Sequence, residues 1–167
     1  RAGDRWRRPY TQMRAAIERI WSDPGLRFVF STRSGTPDIL KEDGTPLYAG
    51  ARFEPGRDDL VREGRAGYVV SYGETLYRAL DAVERLRAEG LEVGLVNKPT
   101  LNVVDEEMLK TVGRTGFVLV VESQNRDTGL GMRFGTWLLA RGWKPRYAHV
   151  GTTKPGSGGI YEQMAHQ

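Results

Sequence analysis

Histidine and cysteine chemistry is nearly absent from this chain of 167 residues: it has two histidines, His149 and His166, and no cysteine. The histidines lack metal-ligand spacing with one another, which argues against a zinc site. His149 ends an apolar run, a place where the loops of an open α/β sheet usually carry function; a satisfied or exposed histidine is the simpler reading. Two acidic pairs, Asp58-Asp59 and Glu106-Glu107, stand near strand or helix starts. Neighbouring side chains point in different directions, so neither pair forms a natural acid–base couple. Glu122 closes the run Val118-Leu119-Val120-Val121. It either faces a site or pairs with a cation such as Arg126.

Glycine-rich stretches are the next candidates. Gly129-Leu130-Gly131-Met132-Arg133-Phe134-Gly135 lies between a strand candidate and a helix candidate, the setting of a dinucleotide-binding loop. Its glycine spacing is one residue too long, and no acid follows at the distance that would hold a ribose. The simpler expectation is that these glycines let a helix N-terminus pack closely on the sheet or on a partner. A helix N-terminus can still attract an anion without any motif. Gly151-Thr152-Thr153-Lys154-Pro155-Gly156-Ser157-Gly158-Gly159 has phosphate-loop composition in the wrong order, with no Lys-Ser or Lys-Thr pair opening a helix. It reads as a surface loop. Arg33 follows Phe28-Val29-Phe30-Ser31-Thr32 and sits among Thr32, Ser34, Gly35 and Thr36. A planar guanidinium with five donors in such a setting suits a phosphate or a carboxylate, and a plain surface arginine fits the same residues.

Positioning these residues requires elements, and the apolar periodicity supplies them. Pro9 to Ser22 reads as a helix with Met13, Ala16, Ile17, Ile20 and Trp21 on one stripe, stopped by Asp23-Pro24-Gly25. Leu26 to Ser31 reads as a short strand. From Gly67 onward, strands at Gly67 to Tyr72, Leu91 to Asn97, Phe117 to Val121 and Trp143 to Val150 alternate with helices. The helices are Glu74 to Glu89, closed by Gly90; a short one capped by Asp105 and stopped by Gly113; and Gly129 to Arg141. Such alternation predicts an α/β fold with a mainly parallel sheet. Thr32 to Arg65, with three prolines and five glycines, reads as an ordered interdomain crossing in which only Pro46 to Phe53 could form a strand. The domain proper is expected to begin near Asp58.

Composition narrows the function classes. The net charge of +4 is concentrated in Arg1, Arg5, Arg7 and Arg8 beside Trp6, which reads as a solvated helix entry or a fragment edge before it reads as a nucleic-acid arm. No apolar run approaches the roughly 20 residues of a membrane span, and the charged N-terminus is not a secretory signal. The lack of cysteine excludes disulfides and thiolate chemistry and fits a cytoplasmic protein. The first residue is Arg and the last, Gln167, lies in a run with helical character, so both ends look cut.

Taken in order, these residues resemble the C-terminal third of transketolase-like thiamine diphosphate enzymes, a superfamily that includes the β subunits of 2-oxo acid dehydrogenases. Ser31-Thr32-Arg33-Ser34-Gly35-Thr36-Pro37 looks like the family's Ser-Arg-Gln-Asn-x-Pro segment, with Ser34 and Gly35 in place of Gln-Asn. Gly67 to Glu74 looks like the first strand and turn of the C-terminal domain. Asn97 to Met108, the Val118 to Glu122 strand and Thr128-Gly129-Leu130-Gly131 resemble the segments that follow. The resemblance covers nearly the whole chain. It implies a three-layer α/β/α fold whose mainly parallel five-stranded sheet has one antiparallel edge strand. It divides the chain into a helix–strand remnant of a pyrimidine-binding domain (1–34), a linker crossing (35–57) and the C-terminal domain (58–167). It implies that Arg33 is a substrate-binding residue at a sugar phosphate, that no residue here is catalytic, and that the chain is a C-terminal subunit or fragment, inactive alone. Thiamine diphosphate and a divalent metal would serve the complete enzyme without being bound by this chain. The implied partners are the cofactor-binding domains or subunit and a further copy in a homo-oligomer, not nucleic acid or membrane. A 2-oxo acid dehydrogenase β-type domain, or a non-catalytic association or regulatory module on the same fold, is the alternative expectation.

Overall fold

Residues 11–31, 38–41, 43–50 and 52–154 are described in a computed structural model of the chain. Nine elements follow one another: α1 (Thr11–Ile20), β1 (Asp59–Arg62), β2 (Gly67–Ser71), α2 (Thr75–Ala88), β3 (Val93–Asn97), α3 (Glu106–Gly113), β4 (Phe117–Asn125), α4 (Leu130–Ala140) and β5 (Arg146–Thr152). The five strands form one sheet in the order β1-β3-β2-β4-β5. β1 is antiparallel to β3, and every other pairing is parallel. This is the mixed sheet with one antiparallel edge strand that the resemblance implies.

Period-two alternation along β2 and β4 sorts their side chains into two cores. Tyr68, Val70, Val118 and Val120 face α3 and α4, where they meet Leu109, Val112, Leu130, Phe134 and Leu138. Val69 faces the other way, onto Leu76, Ala79 and Val83 of α2, together with Val61, Val93 and Leu95. Ile39, with Leu47 and Tyr48 beside it, extends this second core from the crossing segment. Helices on both faces make three layers. Fully burying a Val or Leu side chain contributes about 1.5–3 kcal/mol, so these stripes rather than helix propensity hold the layers together.

Helix ends form where the sequence places their signals. Gly90 has φ +85°, and the Leu91 N–H returns to the Leu86 carbonyl at 3.0 Å, closing α2. Asp105 caps α3 by accepting from the Met108 N–H at 3.0 Å. None of the described helices is long and apolar enough to cross a membrane.

Two expected strands are not formed. Leu26 to Ser31 has no regular secondary structure and pairs with no strand among the described residues, and its apolar side chains are exposed. Pro46 to Phe53 contributes one isolated bridge, Leu40 with Pro46. β-propensity describes fit to a half-buried pleated surface; Leu26 to Ser31 has none among the described residues, and in Pro46 to Phe53 Leu47 and Tyr48 pack on the core without a strand ladder. β4 also runs four residues past Val121, so Glu122 lies within a strand rather than at its end.

One close approach fixes β3 against its neighbours. A Cβ on Gly94 would lie 2.2 Å from Tyr68 Cε1 and 2.8 Å from the Gly64 nitrogen. Gly94→Ala is expected to cost about 1–3 kcal/mol, the usual range for overpacking, read as a lower urea midpoint. An unchanged midpoint would contradict this packing.

Candidate functional site at the carboxyl edge of the sheet

In an open α/β sheet the ligand crevice lies beyond the carboxyl ends of the strands, where successive connections leave in opposite directions. Here β2 leads through α2 to β3 on one side of it, and β4 lies on its other side. The switch point is therefore between the end of β2 and the part of β4 beside it, at Ser71, Tyr72, Val121 and Glu122. The Ser71 hydroxyl donates to the Val121 carbonyl at 2.8 Å and ties the end of β2 to β4.

Glu122 fills this crevice. Its Oε2 accepts from the Leu130 N–H and from the Tyr72 hydroxyl, both at 2.8 Å, and its Oε1 accepts from the Gly131 N–H at 2.8 Å. The carboxylate thus occupies the position at the α4 N-terminus where an external anion would sit. Burial, and donation to the Glu122 carboxylate, push the Tyr72 phenol well above its ordinary range, so Tyr72 stays a donor. Gly129 and Gly131 are required by this geometry. A Cβ on Gly129 would lie 2.3 Å from Glu122 Oε2, and one on Gly131 would lie 2.6 Å from His149 Cβ. The glycine-rich start therefore serves close packing, not a dinucleotide. Arg126, the cation considered for Glu122, pairs instead with Asp127 at 3.0 Å.

A second polar set lies at the ends of β1 and β3. Asp58 and Asp59 are neighbours, and their carboxylates serve different networks. Asp58 takes Lys98 Nζ at 2.9 and 3.2 Å, and Lys98 also donates to the Val103 carbonyl at 2.8 Å. Asp59 Oδ2 accepts from Gln12 of α1 and from Asn97, both at 3.0 Å, while Asn97 also donates to the Tyr48 hydroxyl at 2.8 Å. Burial raises the Asp58 carboxyl to about 6, against the opposing pull of Lys98. Asp59 shifts upward for the same first reason, and burial also raises Tyr48. Lys98 is fully buried, with its ammonium 5.4 Å from the centre of the Trp137 ring. Nothing in the sequence pattern marks Lys98, since a lone lysine after a strand ordinarily reads as solvated.

The remaining candidates are dispersed. His149 sits within β5, half-buried beside Gly131 and the Tyr147 ring, whose centroid is 6.1 Å away. Glu106 is exposed and forms a bidentate pair with Arg141 at 2.5 and 2.6 Å, joining α3 to the end of α4. Arg33, His166 and Gly156 to Gly159 lie outside the described residues. Among the described residues no group of three or more His, Asp or Glu side chains could hold a metal ion.

Residues 56–165 match the family described as transketolase, C-terminal domain. A transketolase family protein of Sinorhizobium fredii is 31% identical over 137 residues, covering 81% of this chain and 38% of that protein. A 1-deoxy-D-xylulose-5-phosphate synthase of Rhodopirellula baltica is 39% identical over 85 residues, covering 50% of this chain and 13% of that protein. Among solved structures, an inactive β4 tetramer of a split-gene transketolase superposes with a TM-score of 0.78 at 28% identity, covering 93% of this chain and 48% of that one. This chain belongs to the transketolase C-terminal domain family, and it spans less than half the length of each of these three proteins.

Two outcomes follow from the geometry. Glu122→Ala leaves two buried amides and a phenol without their acceptor and is expected to cost more than about 2 kcal/mol in chemical denaturation, Glu122→Gln less. A Glu122→Ala protein as stable as the parent would contradict the clamp. The Asp58 carboxyl is expected to titrate near pH 6 by carbon NMR, as its value of about 6 requires. Because that folded value lies above the unfolded one, this group's contribution favours the fold at low pH and is lost as pH rises through about 6. A midpoint in the ordinary carboxylate range would refute the assignment.

Proposed function

We propose that this chain is the C-terminal subunit or segment of a thiamine diphosphate-dependent, transketolase-like enzyme that transfers a ketol or aldehyde unit between sugar phosphates. The cofactor supplies the carbanion chemistry. This chain supports assembly and shapes the substrate entrance. The observation that carries the reading is the contrast between a domain whose own crevice is filled and an arm whose apolar residues are uncovered. Leu26, Phe28 and Phe30 are 78%, 76% and 75% exposed, and Ile17 of the preceding helix and Trp21 just after it are exposed as well. Several large apolar side chains left exposed within a short stretch suit a protein interface. Its occupant in this reading is the cofactor-binding part of the same enzyme, onto whose sheet the 26–31 segment adds.

The described residues do not fit thiamine diphosphate. The glycine-rich helix start is taken up by the Glu122 carboxylate, and an added diphosphate would meet that negative charge. Family membership and the names of the relatives support a transketolase-type enzyme. Arg33, a single guanidinium among the hydroxyls of Thr32, Ser34 and Thr36, favours phosphorylated substrates within that group.

Calorimetry on the isolated chain with thiamine diphosphate and Mg²⁺ is expected to show no binding, and tight binding would overturn the division of labour. In the assembled enzyme, Arg33→Ala is expected to raise KM for a phosphorylated substrate at least about tenfold while sparing an unphosphorylated one, in line with the loss of a charge-assisted bond. Equal losses for both substrates would remove Arg33 from the phosphate. Turnover of a 2-oxo acid in place of a sugar phosphate would move the chain to the dehydrogenase β type.

A further inference from the structure

The crossing segment meets the domain through three successive residues, and almost every contact there is polar. The Gly56 N–H donates to Thr100 Oγ1 at 3.0 Å. Gly56 has φ +87°, and a Cβ there would lie 2.9 Å from Val103 Cγ1, so the backbone approaches the β3–α3 loop as closely as glycine allows. Arg57 Nε lies 3.8 Å from Asp105 Oδ2. The Asp58 N–H donates to that same oxygen at 2.9 Å, while the other Asp105 oxygen caps α3. Beneath these contacts the Asp58 carboxylate meets Lys98, with the two side chains 2% and 1% exposed.

A buried ion pair of this kind adds little net stability. Removing two charges from water costs several kcal/mol per ion, and replacing such a pair by apolar residues of similar volume is often neutral or stabilising. What the pair does enforce is register. Sliding the segment by one residue would bring either Arg57, a second cation, or Asp59 to Lys98. Asp59 is already engaged by Gln12 and Asn97. The charged groups facing Asp58 are Lys98, Asp105 and Asp59, and the observed alignment sets the Asp58 carboxylate on the Lys98 ammonium while Asp59 keeps its Gln12 and Asn97 donors.

We propose that the Asp58–Lys98 pair is a register lock, which holds the crossing segment against the β3–α3 loop and fixes where the apolar arm enters the domain, with little gain in folding stability. This lock is independent of the enzymatic reading, because it concerns contacts within the chain alone.

Hydrogen exchange of the full chain by NMR tests it. In the double variant Asp58→Leu, Lys98→Met the Gly56 and Asp58 amides should exchange at least about tenfold faster. The Val70, Val96 and Val120 amides and the thermal midpoint should stay near those of the parent. Asp58→Asn, which keeps the side-chain shape, should speed the same two amides. Retained protection at Gly56 and Asp58 in either variant would overturn the proposal, since packing would then hold the segment. A double variant that is markedly destabilised would also overturn it, since the pair would then be a main source of stability.

Discussion

The Glu122 carboxylate at the N-terminus of α4 is the interaction on which the site depends. It draws three donors from two separate parts of the chain, the loop after β2 and the first turn of α4. That clamp sets the position of α4 on the sheet and requires glycine at 129, while His149 of β5 requires it at 131. It also removes the feature that makes an open α/β sheet a ligand binder, because the free helix dipole at the switch point is already neutralised. The fold keeps an open α/β sheet with a switch point, while the anion position there is occupied from within.

The other carboxyl-edge cluster solves a different problem. A long crossing with few apolar residues has to join a compact sheet at one place. Asp58, Asp59 and Asp105 do this by accepting from backbone and side-chain donors on α1, the crossing and β3. Desolvation opposes ionisation at Asp58 and Asp59, so these contacts carry a cost that apolar packing would not. The arm beyond the crossing remains apolar and exposed, which is the physical basis for assigning it to an interface.

Much of this was legible in the sequence wherever local signals act alone. The α2 stripe of Leu76, Ala79 and Val83, the Gly90 stop and the Asp105 cap depend only on neighbouring residues, and all appear as expected. The parallel sheet follows from the alternation of apolar runs with helices. β1 was not legible from its own residues: it is four residues long, with Leu60 and Val61 its only apolar members, and it exists because Asp59 to Arg62 pairs with a strand more than thirty residues away. Leu26 to Ser31 erred in the opposite direction, since its composition favours a strand but the described residues provide no neighbour. Lys98 and Glu122 were illegible as structural groups because the burial of a charge depends on partners that sequence spacing does not reveal. The close packing of Gly129 and Gly131, by contrast, was anticipated from the wrong spacing of the would-be motif.

The central claim is that the crevice at the switch point is filled by the chain's own carboxylate. Amide NMR spectra recorded during titration with pyrophosphate test it most directly. The Leu130 and Gly131 resonances are expected to stay unchanged in the parent protein, because both amides already donate to Glu122. Saturable shifts at those two amides would show an anion site open to solvent and would contradict it.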